Sequence, residues 1–470
     1  MLKTNGQSEA LPMTWLSNSR GIEKPQYPFT NVASLCPSLH NVTRILQLLG
    51  NKHNYATESK CEIFEIYHDG ESCPVGNWTR LGSYEVSAHF QKLSTAPENL
   101  KMRAIFCDLQ TVPSAAFGFR LNMTRQDTLC MLSALRVGPQ FCPSLFGEPD
   151  YWAPAVIRSR EKSGKVYRAE FCYQHPRYNI HRKRDEPCSV YISYDISEAV
   201  TTYIITSADD DPWVSRAKSR LAEYYLRTGP ETPLQRAESL DPFLLQSILC
   251  HEQLIEAKTL ISELRGKLSM VSKAVTVYSQ SPADGSLLNT ITQKLYALSE
   301  EADALYRSIE VGSEVATHCV GARQELLEAQ PSRVFAASNV GDALNYLVDS
   351  LDSQKQYIQG YKNSKDTAMT LVFHLLTQQD SLTSTEISRD MKKDSASMKT
   401  IAVLTMVFLP ATAVSSFFGM AFFNLSETGQ FVASREIWMF AVTSVPLTVV
   451  ILSLWIFWSP LSTKFKSDWF

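Results

Sequence analysis

A regular stripe of small, hydroxyl-bearing and thioether side chains runs along the last part of the chain. Its members recur about every 3.5 residues, which is the spacing of one face of a helix. They are Ser384, Ser388, Met391, Ser395, Met398, Ala402, Thr405, Leu409, Thr412, Ser416 and Gly419. The flanking residues Val403, Val407 and Phe417 are bulky and apolar, as on a lipid-facing or packed surface.

Two explanations of this stripe remain open. Small residues allow membrane helices to approach each other closely, so packing alone could select them. Alternatively, several copies of the helix in a ring would line a narrow pore with hydroxyl groups and with weak Met and Leu constrictions. Because one or two spans per chain cannot enclose a pathway, a transport role requires a homo-oligomer with this helix at its centre.

Two windows near the C-terminus have the length and composition of membrane spans. No charged residue occurs between Lys399 and Glu427, and none between Glu436 and Lys464. Each window can form about 20 helical residues, enough to cross the roughly 30 Å hydrocarbon core. The second window also carries tryptophans near both ends, as an aromatic belt would place them.

Basic residues flank the two windows on the same side. The positive-inside rule therefore predicts a multi-pass membrane protein with both termini in the cytoplasm, without identifying the membrane. The basic residues are Lys392, Lys393 and Lys399 before the first window and Lys464 and Lys466 after the second, against Arg435 alone in the connection.

A long helix is predicted upstream of the first span. No proline occurs between Pro331 and Pro410 and no glycine between Gly360 and Gly419, so one helix can run from near Ser332 into the membrane. A heptad seam supports this helix, formed by Leu344, Leu347, Leu351, Ile358, Tyr361, Ala368, Val372, Leu375 and Leu382. Gln354, Lys365 and Gln379 interrupt the seam, so both a stalk lining a wet cavity and simple packing against neighbouring helices remain possible.

The fold class predicted is an α+β cytosolic domain followed by a long stalk helix and two C-terminal transmembrane helices. Five short β-like runs and one clear helix indicate the α/β part, and two helical stretches follow from Asp241 and from Ser286. The predicted boundaries are 1–29 for a mobile segment, 30–235 for the α/β domain, 236–330 for the helical pair, 331–399 for the stalk, 400–423 and 437–461 for the two spans, 424–436 for the outer loop and 462–470 for a basic tail.

Composition narrows the function classes. The net charge of −3 carries no polycationic signature, so nucleic acid is a poor partner. The ten cysteines occur without a Cys-x-x-Cys pair and are predicted to be reduced, mostly buried thiols. Cys172, His175, His181 and Cys188 match no standard zinc-finger spacing. Neither a Gly-rich phosphate loop nor a nucleophile elbow is present, so an enzyme is not expected.

The segment MKTIAVLTMVFLPATAVSSFFGM, residues 398 to 420, resembles the first transmembrane helix of the CorA family of divalent-cation, chiefly magnesium, transporters. The shared features are Met-Lys at the membrane entrance, a proline midway, a threonine two residues later, and Gly-Met at the end. The order of elements also matches: cytosolic α/β domain, acidic helical pair, stalk and two spans. The resemblance covers about residues 240 to 470 and implies a divergent, fungal-type member that forms a homopentamer.

The resemblance implies roles for individual residues. Met398 matches a cytoplasmic-side hydrophobic gate, Leu409 and Thr412 match pore-facing positions around Pro410, and Ser395 matches a polar pore position. Thr405 and Ser416 complete the proposed pore lining on the same stripe. Gly419 and Met420 match the first two letters of the family's outer Gly-Met-Asn motif, but Ala421 replaces the asparagine. Because alanine has no hydrogen-bonding side chain, it cannot form the amide ring that holds the waters of a magnesium ion.

Two functions follow as hypotheses. The first is a CorA-like channel that passes divalent cations, magnesium first, through a homo-oligomeric pore, with the cation as cargo or regulator and with no cofactor. Acidic residues on the second helix of the pair, from Glu300 to Glu314, either attract cations or form a solvated face. The second hypothesis is a non-conducting CorA-derived membrane protein whose cytosolic domain has a binding or signalling role.

Overall fold

Alternating runs of β-branched and aromatic residues form one large mixed sheet in the N-terminal half. The computed structural model describes residues 27, 42–68, 74–92, 97, 99–148, 155–160, 163–176, 187–209, 211–228, 232–280, 286–330, 334–418, 423–425, 431–433 and 437–467. The strands of the sheet are β1 Cys61–Tyr67, β2 Val75–Leu81, β3 Leu100–Thr111, β4 Phe119–Leu121, β5 Ala155–Arg160, β6 Val166–His175, β7 Cys188–Asp195 and β8 Val200–Ala208.

The strand order is β2-β1-β3-β8-β7-β6-β5, with β4 paired to the free end of β3. Among the described strand pairs of this sheet, only β3 and β8 run parallel, with Ile105 opposite Ile204. The central strand β8 is buried from Val200 to Ser207, so both of its faces are covered. Such a strand reads as a continuous apolar run rather than as an alternating one.

Helices cover both faces of the sheet. On one face, a core that includes Ile63, Ile105 and Ile204 packs beneath the short helices α1 Val42–Gly50, α2 Ser83–Lys92, α3 Arg125–Ala134 and α4 Cys142–Leu145. On the other face lie α5 Pro212–Ala222, α6 Pro233–Ser239, α7 Leu244–Gln280 and α8 Ser286–Ala329. On this second face Phe171 of β6 contacts Phe243 just before α7, with ring centroids 5.3 Å apart.

Two further helices, each with a stretch long and apolar enough to cross a membrane, complete the chain. They are α9 Val340–Phe418 and α10 Trp438–Ser467, and the short antiparallel strands β9 Phe423–Leu425 and β10 Phe431–Ala433 lie between them. Together with the N-terminal sheet and helices, this confirms the predicted fold class. The chain divides into two compact units, Met1–Thr370 and Leu371–Phe470.

Three helix limits differ from the expectation. The long helix begins at Val340 rather than near Ser332, because a 3-10 turn at Val334–Ala337 buries Phe335 against Tyr194. It ends at Phe418, not at 423; Phe423 already belongs to β9. A glycine follows Phe418 directly, which is the residue that most often succeeds a helix end. Finally, α10 extends to Ser467, through most of the segment expected to be a tail.

The predicted seam of α9 packs within its own chain. Leu344, Leu347, Leu351 and Ile358 are at most 2% exposed. Lys365, which interrupts the seam, donates a hydrogen bond of 3.0 Å to Ser299 Oγ of α8. Packing against a neighbouring helix therefore accounts for this part of the seam. Leu382, the last member of the seam, is 64% exposed.

Candidate functional site

The predicted pore residues all lie on α9 and are exposed in the single chain. Met398 is 67% exposed and Leu409 is 70% exposed, which are high values for large apolar side chains. The four polar residues of the set are exposed as well, namely Ser395, Thr405, Thr412 and Ser416. The spacing of three and four residues places Met398, Thr405, Leu409, Thr412 and Ser416 on one side of the helix.

The hydroxyl groups of this face donate to their own helix. Thr405 Oγ1 donates to the carbonyl oxygen of Ala402 at 2.9 Å, Thr412 Oγ1 to that of Leu409 at 2.9 Å, and Ser416 Oγ to that of Thr412 at 2.8 Å. Such bonds satisfy a hydroxyl proton inside a bilayer. Because the proton is used on the backbone, the hydroxyl oxygen presents its lone pairs outward as an acceptor. Acceptor oxygens are suited to a cation or to the waters around it.

The other two sides of the same helix have different characters. Ile401, Leu404 and Phe408 are large, apolar and 57% to 61% exposed, as expected of a lipid-facing side. A third side, with Val403, Met406, Pro410 and Val414, is buried or half-buried. The polar, the large apolar and the less exposed residues therefore occupy three separate sides of α9.

A short two-stranded ladder follows the outer motif in the chain. Gly419, Met420 and Ala421 lie outside the described residues. The described residues that follow the motif in the chain form the β9–β10 pair, in which Asn424 is opposite Val432. The expected outer loop therefore contains a short two-stranded ladder.

The segment of α9 that precedes the apolar window is uncovered on every side. Each residue from 381 to 401 is exposed, including Leu382, Ile387 and Met391 at 64%, 56% and 66%. An isolated helix gains little stability from propensity alone and normally depends on packing of an apolar face. This segment therefore has surface available for a partner.

Three of the five acidic residues of α8 between Glu300 and Glu314 are paired with lysines. Glu301 accepts from Lys267 at 2.7 Å, and Asp303 and Glu310 pair with Lys362 and Lys355 of α9, each at 2.7 Å. Glu300 and Glu314 are exposed. The row is thus an ion-pair ladder rather than an open anionic surface, which favours the solvated-face interpretation. Within the described part of the chain, no group of three or more His, Cys, Asp or Glu residues could hold a metal ion.

A charged cavity in the α/β domain was not anticipated from the sequence. Its volume is about 600 Å³, and it lies between α5 and the paired strands β1 and β2, beside the end of β8. It is lined by Glu62, Trp78, Arg80, Asp209, Ser215, Lys218, Ser219 and Ala222. The carboxyl ends of parallel strands are a common place for ligands in α/β sheets. Because its residues come from β1, β2 and α5 and from the end of β8, no local motif reveals it.

Ion pairs tune the carboxylates in and beside this cavity. Lys218 Nζ lies 2.9 Å from Glu62 Oε2, and Arg80 Nε lies 2.7 Å from Glu62 Oε1. Burial opposes ionisation of Glu62, but Lys218 and Arg80 outweigh it and lower its pKa. For Asp108 of β3, burial has the largest effect and raises the pKa to about 6. The nearby carboxylates of Asp209 and Glu62 add to this rise, and Lys218 opposes it. The site therefore combines both signs of charge.

The zinc-like set of the sequence separates in the fold. His175 and Cys188 are opposite each other on β6 and β7. Cys172 lies three residues before His175 on β6 and therefore on the other face of the sheet, and His181 is outside the described residues. His175 is fully buried, and its Nε2 lies 3.1 Å from Gln246 Nε2 of α7. Burial lowers its pKa to about 4. This histidine is a neutral core residue. Cys172 and Cys188 are buried free thiols, as predicted.

Asp211, one of three consecutive aspartates before Pro212, caps α5. Its Oδ1 accepts a 3.2 Å hydrogen bond from Trp213 N, so a structural role explains it.

Comparisons with known proteins give limited sequence similarity. No protein-family model matches the chain. The curated "Notoamide biosynthesis cluster protein M'" of Aspergillus versicolor is 38% identical over 77 residues. The match covers 16% of this chain and 17% of that protein.

Solved structures to which the chain is similar include three proteins. The CorA magnesium transporter of Methanocaldococcus jannaschii has a TM-score of 0.42 and 10% identity, covering 84% of this chain and 96% of that one. The ZntB cytoplasmic domain of Vibrio parahaemolyticus has a TM-score of 0.39 and 12% identity, covering 67% and 98%. The full-length CmaX protein has a TM-score of 0.38 and 12% identity, covering 86% and 98%. At TM-scores below 0.5, these similarities do not assign the chain to a family.

Proposed function

We propose that the chain is one subunit of a CorA-like, homo-oligomeric membrane channel that passes divalent cations, with magnesium as the first candidate. The observation that carries this proposal is the three-sided character of α9, whose exposed polar side continues from a fully exposed cytosolic segment. Two apolar helices per chain cannot enclose an aqueous path, so the polar sides of several copies must face one another. A pentamer is the assembly that the sequence resemblance implies.

In such a ring, apolar residues form constrictions and polar residues contact the hydrated cation. The Met398 and Leu409 rings form apolar constrictions that close the path by excluding water. The Thr405, Thr412 and Ser416 rings, with Ser395 at the cytosolic end, offer acceptor oxygens to the waters of a hydrated cation. Magnesium keeps several of its waters when bound, so contact through waters suits this ion. Both termini would face the cytoplasm.

Ala421, in place of an asparagine, is expected to limit the ion selectivity of this channel. Without a side-chain amide at that position, the outer mouth cannot hold the waters of magnesium as an asparagine ring would. We therefore expect weaker discrimination among divalent cations than a Gly-Met-Asn channel has. Restoring the asparagine should raise magnesium selectivity if the rest of the path conducts.

Magnesium flux into proteoliposomes, read with an internal dye, tests the proposal. Wild-type protein should give flux that a cobalt-hexaammine mimic of hydrated magnesium blocks, and Ala421→Asn should increase the preference for magnesium. Thr412→Val should lower the flux because it removes an acceptor oxygen with little change in volume. Ser415→Ala, a hydroxyl loss elsewhere on the same turn, is the matched control. Absence of flux for magnesium, cobalt, nickel and zinc would refute conduction.

The second candidate function is a non-conducting membrane protein whose cytosolic domain binds a ligand. The 600 Å³ cavity favours it, because this volume lies in the range of small-molecule sites and its lining carries both signs of charge. A ligand with an ammonium and an acidic group fits such a lining. Thermal-shift screening of the full-length protein against zwitterions tests this, with Arg80→Gln and Asp209→Asn expected to abolish any shift.

A further inference from the structure

Several charged residues in the fully exposed segment of α9, residues 381–401, have no side-chain partner within the described part of the chain, and Asp394 and Lys399 are two of them. Asp394 and Lys399 are both exposed, and neither side chain takes part in a hydrogen bond or ion pair among the described residues. Nearby Lys393, by contrast, pairs with Asp390 at 3.1 Å, three residues before it. The two unpaired charges therefore differ from a neighbour that the same helix satisfies.

The spacing of the helix explains why both charges stay unpaired. Side chains on a helix meet neighbours three and four residues away. At those distances Asp394 has Asp390, Met391, Ser397 and Met398, and Lys399 has Ser395, Ala396, Ala402 and Val403. Neither set contains an opposite charge. Asp394 and Lys399 are five residues apart, which places them on different sides of the helix.

In a heptad frame with the proposed pore-facing residues at positions a and d, the two charges flank that face. Ser388, Ser395 and Ala402 fall at a, and Met391 and Met398 at d. In the same frame Asp394 occupies position g and Lys399 position e of the following heptad. Positions e and g are the ones that form ion pairs between adjacent helices of a coiled coil.

The membrane fixes how two copies of this segment meet. Every copy sends the same apolar window into the same bilayer, so adjacent copies run parallel and begin their spans at the same depth. They are therefore in register, with no freedom to slide by a turn. In a parallel, in-register pair, position g of one helix faces position e of its neighbour five residues later.

We infer that Asp394 of one copy forms an ion pair with Lys399 of the neighbouring copy, and that this pair, repeated around the ring, holds the cytosolic segment of α9 in its assembly. The inference rests on the proposed homo-oligomer and adds the surface through which its copies recognise each other. The partner is a second copy of this chain.

The preceding g and e positions are compatible with the same contact. Ile387, at g, is 56% exposed, and it faces Lys392, at e, of the neighbouring copy. The aliphatic stem of a lysine can cover an apolar side chain while its ammonium group stays in water. No like charges face each other at these positions, so this register brings no charge repulsion between adjacent copies.

Charge exchange in the full-length protein tests the pair. Asp394→Lys and Lys399→Asp each place like charges at every subunit boundary, and each should reduce the assembled fraction several-fold in native mass spectrometry from detergent. The double variant restores opposite charges and should recover the wild-type assembly. Glu386→Lys makes the same acid-to-lysine change at position f, away from the neighbour, and should leave assembly unchanged.

Zero-length carbodiimide coupling gives an independent readout. It should join Asp394 to Lys399 between chains of the wild type, with isotopically mixed subunits separating inter-chain from intra-chain products. A wild type that assembles but gives no such product, and whose single charge variants assemble normally, would overturn the pair and leave the proposed channel standing. A wild type that is monomeric in lipid nanodiscs would refute the homo-oligomer itself.

Discussion

Removal of Arg323 should destabilise the N-terminal unit far more than removal of a comparable surface charge. Arg323 of α8 pairs with Asp241, which lies just before α7, with Nε 2.9 Å from Oδ2. The two side chains are 9% and 0% exposed. Arg323 Nη2 also donates to the carbonyl of Phe335 at 3.1 Å and to Ser338 Oγ at 3.0 Å, just ahead of α9. One guanidinium group thus ties together the beginnings of two long helices.

The expected magnitude follows from burial. Arg323→Met would leave the Asp241 carboxylate buried without its counter-charge, which costs about 3–5 kcal/mol in the free energy of unfolding. The matched control is Lys355→Met, whose partner Glu310 is 40% exposed and which is itself 31% exposed. Loss of such a surface pair costs about 0–1 kcal/mol. Urea unfolding of the full-length protein in detergent, followed by circular dichroism, compares the two variants.

The pH dependence identifies the cause. Burial raises the pKa of Asp241, and Arg323 opposes that rise. Without Arg323 the pKa should rise further, so the variant can relieve the buried charge by taking up a proton. The destabilisation by Arg323→Met should therefore shrink as the pH falls, and Asp241→Asn should rescue it at neutral pH. An effect as small as that of Lys355→Met, or one independent of pH, would refute this reasoning.

Three further results are expected. Because the pKa of Asp108 is raised to about 6, the folded state loses stability as the pH rises from about 4 to 6; Asp108→Asn should therefore stabilise by about 1–3 kcal/mol above pH 6 and by little near pH 4 in urea titrations. The pKa of His175 is lowered to about 4, so stability should fall as the pH drops from about 6.5 to 4; His175→Gln should flatten that slope, and an unchanged slope would exclude this residue as its source. Leu409→Ala should increase dye-monitored cation leak in proteoliposomes, whereas Phe408→Ala on the apolar side should not, and equal effects would contradict the proposed constriction.

Local sequence patterns predicted much of the fold. The strand runs beginning at Cys61 and at Cys188 form β1 and β7, because β-branched and aromatic residues in short runs bounded by turn residues suit a sheet. The pairing of β3 with β8 was not predictable, because it joins residues about 100 positions apart and depends on packing rather than on local preference. The 3-10 turn before α9 was not predictable for the same reason, because it depends on the packing of Phe335 against Tyr194, a residue distant in sequence.

For the candidate sites as well, the sequence determined the local features and the tertiary structure determined the long-range ones. The sequence by itself determined the two apolar windows, the polar stripe from Ser395 to Ser416 and the absence of an amide at Ala421, because charge exclusion and helical spacing are local properties. Only the tertiary structure decided that residues 381–401 are exposed on all sides and that three acidic residues of α8 are paired with lysines. It also decided that Glu62, Asp209 and Lys218 converge on one cavity. Burial and long-range charge pairing arise from which elements meet in space, and one-dimensional spacing does not contain that information.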